Sequence, residues 1–202
     1  MSNRICIFGD SITWGAVDPE NGGWVAQLRR YFETNDYDIS IYNQGISGDN
    51  TDDLLARFEV ECKAREPQII IFAIGVNDSQ YIKIKDNPRV SLEKFQNNLV
   101  ELINQAKKFS DKIAFIGLTK VEDEKLMPIP WSDEEKFYDN DNVNKYDSVI
   151  EKVSSENNLP FLNLLDLLEL KDLDDGLHPN TEGHKKIFLK VKDFLLSIKY
   201  VQ

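Results

Sequence analysis

The stretch Gln68-Ile69-Ile70-Ile71-Phe72-Ala73-Ile74 does most to restrict how this chain can fold. Only its first residue is polar, so it has no face to give to water. Isoleucine and phenylalanine favour an extended strand. A strand that is apolar on both sides must be covered on both sides. That condition is met inside a parallel sheet with helices above and below. Parallel neighbours need long crossovers, usually helical, so the rest of the chain should alternate strand and helix.

It does alternate. Ile5 to Phe8 is a short apolar run that stops at Gly9. Asp38 to Asn43 carries apolar Ile39 and Ile41, and Lys112 to Gly117 and Pro160 to Asn163 supply two more strands. Between them lie helical periodicities. Trp24, Val25, Leu28 and Phe32 share one face after Gly22-Gly23. Leu54, Phe58 and Cys62 recur at fourfold spacing, with Asp52 and Asp53 in a first turn where the helix dipole favours acids. Phe95, Leu99, Leu102, Ile103 and Ala106 mark a third helix, and Val143, Tyr146, Ile150 and Val153 a fourth. Asn180 caps a last one with Ile187, Val191, Phe194, Leu195 and Ile198 inward. The expectation is an α/β chain with a five-stranded parallel sheet, right-handed crossovers and strand order 2-1-3-4-5. No repeat, low-complexity tract or shift of composition divides it, so residues 1–202 are read as one domain. Two long loops, 75–90 and 118–140, carry no expected element, and loops of that length are often functional.

Charge narrows the partners. Lys and Arg number 24 against 35 Asp and Glu, a formal net charge of -11. That argues against nucleic acid, whose affinity comes from cations on phosphates, and against docking on anionic membranes. No stretch approaches the ~20 apolar residues of a membrane span. The start of the chain has no charged-then-apolar leader, so a cytoplasmic location is expected. Cys6 and Cys62 suggest no disulfide framework and read as small buried hydrophobes.

Parallel topology also gathers residues that are far apart in sequence. In an open sheet every loop that follows a strand lies on one edge, where ligands bind. Ser11 follows the first strand, Gly48 the second and Asn77 the third, while Asp175 and His178 follow the fifth. All five belong on the same rim. A serine hydroxyl needs a base within hydrogen-bond reach to act as a nucleophile. There are two histidines. His184 falls inside the last helix and reads as a helix-face residue. His178 lies in a loop beside Gly176 and Pro179.

Gly9-Asp10-Ser11, with Thr13 and Gly15, resembles the first sequence block of the GDSL, or SGNH, hydrolases. Gly48 in Asn43-Gln44-Gly45-Ile46-Ser47-Gly48 resembles the second block. Gly75-Val76-Asn77-Asp78 resembles the third, and Asp175-Gly176-Leu177-His178-Pro179 the last. The four stand in the family's order from residue 9 to residue 179. The resemblance implies a three-layer α/β/α sandwich with a flavodoxin-like strand order. It also implies a serine ester hydrolase, a carboxylesterase or acylhydrolase working through an acyl-enzyme on small or short-chain acyl esters, with no cofactor and no metal. Ser11 would be the nucleophile and His178 the base. Asp174 and Asp175 are both near His178; a three-residue offset lets a carboxylate turn back onto the ring and matches the family spacing, which selects Asp175. The oxyanion hole implied is the backbone N–H of Ser11, the backbone N–H of Gly48 and the side-chain amide of Asn77. Asp10 and Asp78 flank these residues and read as acceptors holding loops. The expected pocket is lined by Trp14 and, on the long loops, by Tyr81, Met127, Trp131, Phe137 and Tyr138.

Other functions fit less well. An O-acyltransferase, in which an alcohol replaces water, would use the same residues. Gly9-Asp10-Ser11-Ile12-Thr13 is not the G-x-S-x-G elbow of the α/β-hydrolases. A flavin- or nucleotide-binding module would suit the strand order, but the first loop has no glycine-rich cradle and Asp10 would repel phosphate. A metal-dependent phosphoesterase built on Asp10, Asp78, Asp175 and His178 would lose its activity to a chelator.

Overall fold

The computed structural model describes residues 3–35, 37–85 and 87–201. Strand β1 spans Asn3–Gly9 and runs into a one-turn helix, α1, Ser11–Trp14. Then come α2 (Gly23–Thr34), β2 (Ile39–Gly45), α3 (Thr51–Arg65), β3 (Ile69–Ala73) and β4 (Tyr81–Ile82). The second half contains α4 (Leu92–Ala106), β5 (Ile113–Ile116), β6 (Lys136–Phe137), α5 (Asn140–Glu156), β7 (Phe161–Leu162) and α6 (Thr181–Ser197).

Five strands form one sheet in the order β2-β1-β3-β5-β7, every pair parallel. Counting only the strands of this sheet, that is the expected order 2-1-3-4-5. The two additional strands, β4 and β6, pair with each other antiparallel, Tyr81 opposite Phe137 and Ile82 opposite Lys136. They come from the two long loops and tie them into a ribbon. Two-residue strands are too short to show a period in sequence, so the ribbon was not expected.

The alternation of strand side chains creates the layers. Ile5, Ile7, Ile69 and Ile71 face Trp24, Leu28 and Phe32 of α2 and Ile187, Val191 and Leu195 of α6. Cys6, Phe8, Ile70 and Phe72 face Leu54 and Phe58 of α3, Phe95 and Leu99 of α4 and Ile150 of α5. Fully burying side chains of this size contributes about 1.5–3 kcal/mol each, enough to fix the strand register. Cys6 and Cys62 are buried and free, and burial pushes both thiols up to about 12. Among the described residues no helix is long and apolar enough to cross a membrane.

The junction of β1 and α1 sets up the rim. A Cβ at Gly9 would lie 2.1 Å from Thr13 Oγ1 and 2.4 Å from the Ala73 carbonyl, so only glycine lets the chain turn here against β3. The next residue, Asp10, caps α1 by accepting the Ile12 N–H at 3.0 Å. Ser11 therefore begins α1 at the carboxyl edge of the sheet.

Candidate active site

Ser11 Oγ lies 2.8 Å from His178 Nε2, and His178 Nδ1 lies 2.7 Å from Asp175 Oδ2. The other carboxylate oxygen, Oδ1, accepts the backbone N–H groups of Leu177 at 2.9 Å and His178 at 2.8 Å. The three-residue turn thus grips both ends of the histidine. Burial disfavours the charge on Asp175, but the His178 ring and the two N–H groups outweigh it and hold the carboxyl down to about 2. Asp174 is exposed, and its own N–H donates to the His178 carbonyl at 2.9 Å. The other histidine, His184, is buried in α6 with Nε2 3.0 Å from the Ala16 carbonyl, and burial lowers its pKa.

Facing Ser11 is the loop after β2. Gly48 has φ +86°, a backbone that side chains rarely adopt, and nothing lies within 4 Å of where its Cβ would be. Several bonds hold the loop. The Ile46 N–H donates to the Gly9 carbonyl at 3.0 Å, and Arg89 Nη1 donates to the Gly48 carbonyl at 2.9 Å. Arg57, on α3, reaches the Gln44 carbonyl at 2.9 Å, the Gly9 carbonyl at 3.2 Å and the Asp49 carboxylate at 2.7 Å. One guanidinium thereby joins the ends of β1 and β2 to the Gly48 loop.

Asn77, buried after β3, completes this wall. Its Nδ2 donates to the Asp49 carbonyl at 2.9 Å, and its Oδ1 accepts the Tyr138 hydroxyl at 2.6 Å. An amide nitrogen carries two hydrogens, so a second N–H is left for the cleft. Asp10 and Asp78 lie behind the wall, both buried. Asp78 accepts the N–H and hydroxyl of Thr51, in keeping with a loop-holding acceptor.

Ser11, Gly48, Asn77 and His178 line one cleft of about 450 Å³. Of the expected pocket residues, Trp131 and Tyr138 line it too. The Trp131 ring is 51% exposed, with its centre 6.3 Å from that of His178. Trp14, Tyr81, Met127 and Phe137 do not. Trp14 ends α1 with its backbone against Gly45 and Asn43, over the end of β2, and its ring points to solvent. Tyr81, Met127 and Phe137 line a separate hollow of about 160 Å³. The ribbon explains the division. Tyr81 and Phe137 are directly opposite and share one ribbon face, while Lys136, one residue along, lies on the other face and lines the cleft.

Sequence reasoning missed Arg57, Arg89, Lys136 and Gln80, and took Tyr138 for a pocket residue when it is also the partner of Asn77. Charged and amide side chains on helices and loops carry no local signal of such contacts. Tyr138, two residues before the start of α5 and inside a long loop, was the nearest to one.

The model of the GDSL-like Lipase/Acylhydrolase family matches residues 7–186. An acetylxylan esterase of Geobacillus stearothermophilus is 25% identical over 203 residues, covering 90% of this chain and 88% of the relative. The "Uncharacterized lipoprotein YqeF" of Bacillus subtilis is 33% identical over 113 residues, 54% of this chain, and the chain spans only 45% of that relative. Among solved structures, a lipase/acylhydrolase from Enterococcus faecalis superimposes with a TM-score of 0.79 at 21% identity, covering 99% of this chain and 97% of that one. At that identity the likeness bears on the fold.

Proposed function

The chain belongs to the GDSL-like lipase/acylhydrolase family, and from that premise we propose that it hydrolyses small carboxylic esters through an acyl-enzyme on Ser11. The observation that carries the reading is the continuous hydrogen-bonded chain from Ser11 Oγ through the His178 ring to Asp175, opening on a cleft. His178 Nε2 takes the hydroxyl proton as Ser11 Oγ bonds to the acyl carbon. Asp175 holds the proton-bearing Nδ1 and stabilises the imidazolium. The carbonyl oxygen becomes an oxyanion, received by the N–H of Ser11, the N–H of Gly48 and the second amide N–H of Asn77. The carbon–oxygen bond to the alcohol breaks and His178 returns the proton to the departing alkoxide. Water, deprotonated by the same imidazole, then releases the acid and restores Ser11. A cleft of about 450 Å³ suits a small ester, and the acetylxylan esterase relative supports a short acyl group.

The test is covalent labelling. A fluorophosphonate should modify the protein once, on the peptide holding Ser11, and ester hydrolysis should fall by several decades in Ser11→Ala. Wild-type turnover in purified Ser11→Ala, or labelling at another residue, would overturn the reading.

A further inference from the structure

The cleft is cationic in an acidic protein. The chain carries a formal net charge of -11, yet Arg89 and Lys136 both line the cleft, and no Asp or Glu does so among the described residues. The carboxylates that pair with these cations stand outside it. Arg89 Nη2 lies 3.3 Å from Asp53 Oδ2, and Lys136 Nζ lies 2.8 Å from Glu134 Oε2, whose side chain is 65% exposed. The carboxylates are the exposed partners, Asp53 at 47% and Glu134 at 65%, against 27% and 28% for Arg89 and Lys136, so solvent screens each pair from the carboxylate side. An ammonium has three donors and a guanidinium five, and the bonds described here leave some on each.

An apolar acyl chain would leave both cations without a counter-charge in the cleft.

We propose that the ester taken by this cleft carries an anionic group, a carboxylate or a phosphate, received by Arg89 and Lys136. The inference rests on the proposed ester hydrolysis. Arg89 also holds the Gly48 carbonyl, so the anion would dock against the loop that offers the oxyanion-hole N–H. A cleft lined by one sign of charge concentrates ligands of the other sign and speeds their capture, in a way that salt weakens.

The experiment compares charged esters with neutral counterparts of similar shape, following acid release. Monoethyl succinate against ethyl succinamate places the charge on the acyl side. Acetoxyacetate against acetoxyacetamide places a carboxylate on the alcohol side, and 2-acetoxyethyl phosphate against 2-methoxyethyl acetate places a phosphate there. In at least one pair the anion should have about a tenfold higher kcat/KM, a preference that shrinks as salt is added. Lys136→Met should reduce that preference about threefold and Lys136→Glu more, each read as the ratio within a pair. Equal or better turnover of the neutral member in all three pairs would overturn the inference, as would a ratio unmoved by either variant. If neutral esters are still hydrolysed in a Ser11-dependent way, the proposed function survives that failure. Absence of Ser11-dependent turnover on every ester would overturn both.

Discussion

Removing one oxygen atom, in Tyr138→Phe, should slow turnover about tenfold and leave KM almost unchanged. The Asn77 amide is held by two opposed bonds, Tyr138 hydroxyl to Oδ1 at 2.6 Å and Nδ2 to the Asp49 carbonyl at 2.9 Å. Together they decide which end of the amide faces the cleft. Phenylalanine keeps the ring in its buried site but leaves Oδ1 unpaired, and that costs about 1–3 kcal/mol. If about 1.4 kcal/mol of this appears as misorientation of the amide, the productive orientation becomes tenfold rarer. Asn77→Ala removes the proposed donor itself and should cost ~10²–10³ in kcat. In the Asn77→Ala background there is no amide left to orient, so adding Tyr138→Phe should change kcat little. The coupling energy of the cycle should then equal nearly all of the Tyr138→Phe effect. The assay is steady-state kinetics on one good ester for all four proteins, with circular dichroism and melting curves to verify folding. A purely structural Tyr138 would lower Tm and give additive losses. Additive kcat effects, or a raised KM with normal kcat, would refute the argument.

The remaining site expectations are simpler. Asp175→Asn should be crippled while Asp174→Asn is nearly normal, because only Asp175 touches the His178 ring; kinetics on the two variants that rank the other way would reassign the acid. Gly48→Ala should lower kcat together with stability by about 1–2 kcal/mol, since the new Cβ has space but its φ of +86° is strained; an unaltered Tm in thermal melts would contradict this.

Topology was the legible part of this molecule. The run at Ile69–Ala73 demanded two covered faces, and the rest of the order followed from the alternation of strand and helix patterns and from the stop at Gly9. Because parallel strands deliver their following loops to one edge, the meeting of Ser11, Gly48, Asn77, Asp175 and His178 could be expected from strand positions. The lining of the cleft could not. Whether Tyr81 or Lys136 faces it depends on the register of a ribbon two residues long, and a slip of one residue would exchange the faces. The sequence carries no periodic signal at that length. The same holds for Arg57, three of whose bonds reach residues 8, 13 and 48 positions away. Such contacts arise only when the sheet has formed. Residues proposed to react were thus visible through local chemistry, while residues that position them were hidden in tertiary contacts.

Behind the site, buried carboxyls impose a pH dependence of stability that one variant can isolate. Burial pushes Asp78 up to about 7, against the hydroxyl and N–H of Thr51, and neighbouring Asp10 adds to the rise. Asp10 is itself pushed up to about 6 by burial. In the unfolded chain an aspartate titrates near 3.8. Between 3.8 and about 7, then, the folded protein keeps a proton on Asp78 that the unfolded chain has released. By linkage, this contribution to stability is fully present below the lower value and is lost as pH rises through the upper one. Groups whose pKa folding lowers oppose it, Asp175 and His184 among them. Asp175, held down to about 2, contributes stability above 3.8 that is lost only as pH falls towards the lower value, outside this window. His184, lowered by burial with Nδ1 unpaired, contributes stability above its ordinary 6.5 that is lost on acidification, inside it. A melting curve of the wild type mixes these signs. The difference between Asp78→Asn and wild type removes the His184 part, because that residue is common to both. Asparagine can still accept from Thr51 but never ionises. Whatever its offset, its Tm relative to wild type should improve as pH rises from about 5 to about 8. A difference that is flat or moves the other way would mean that Asp78 is ionised throughout, held by Thr51 more strongly than burial disfavours it.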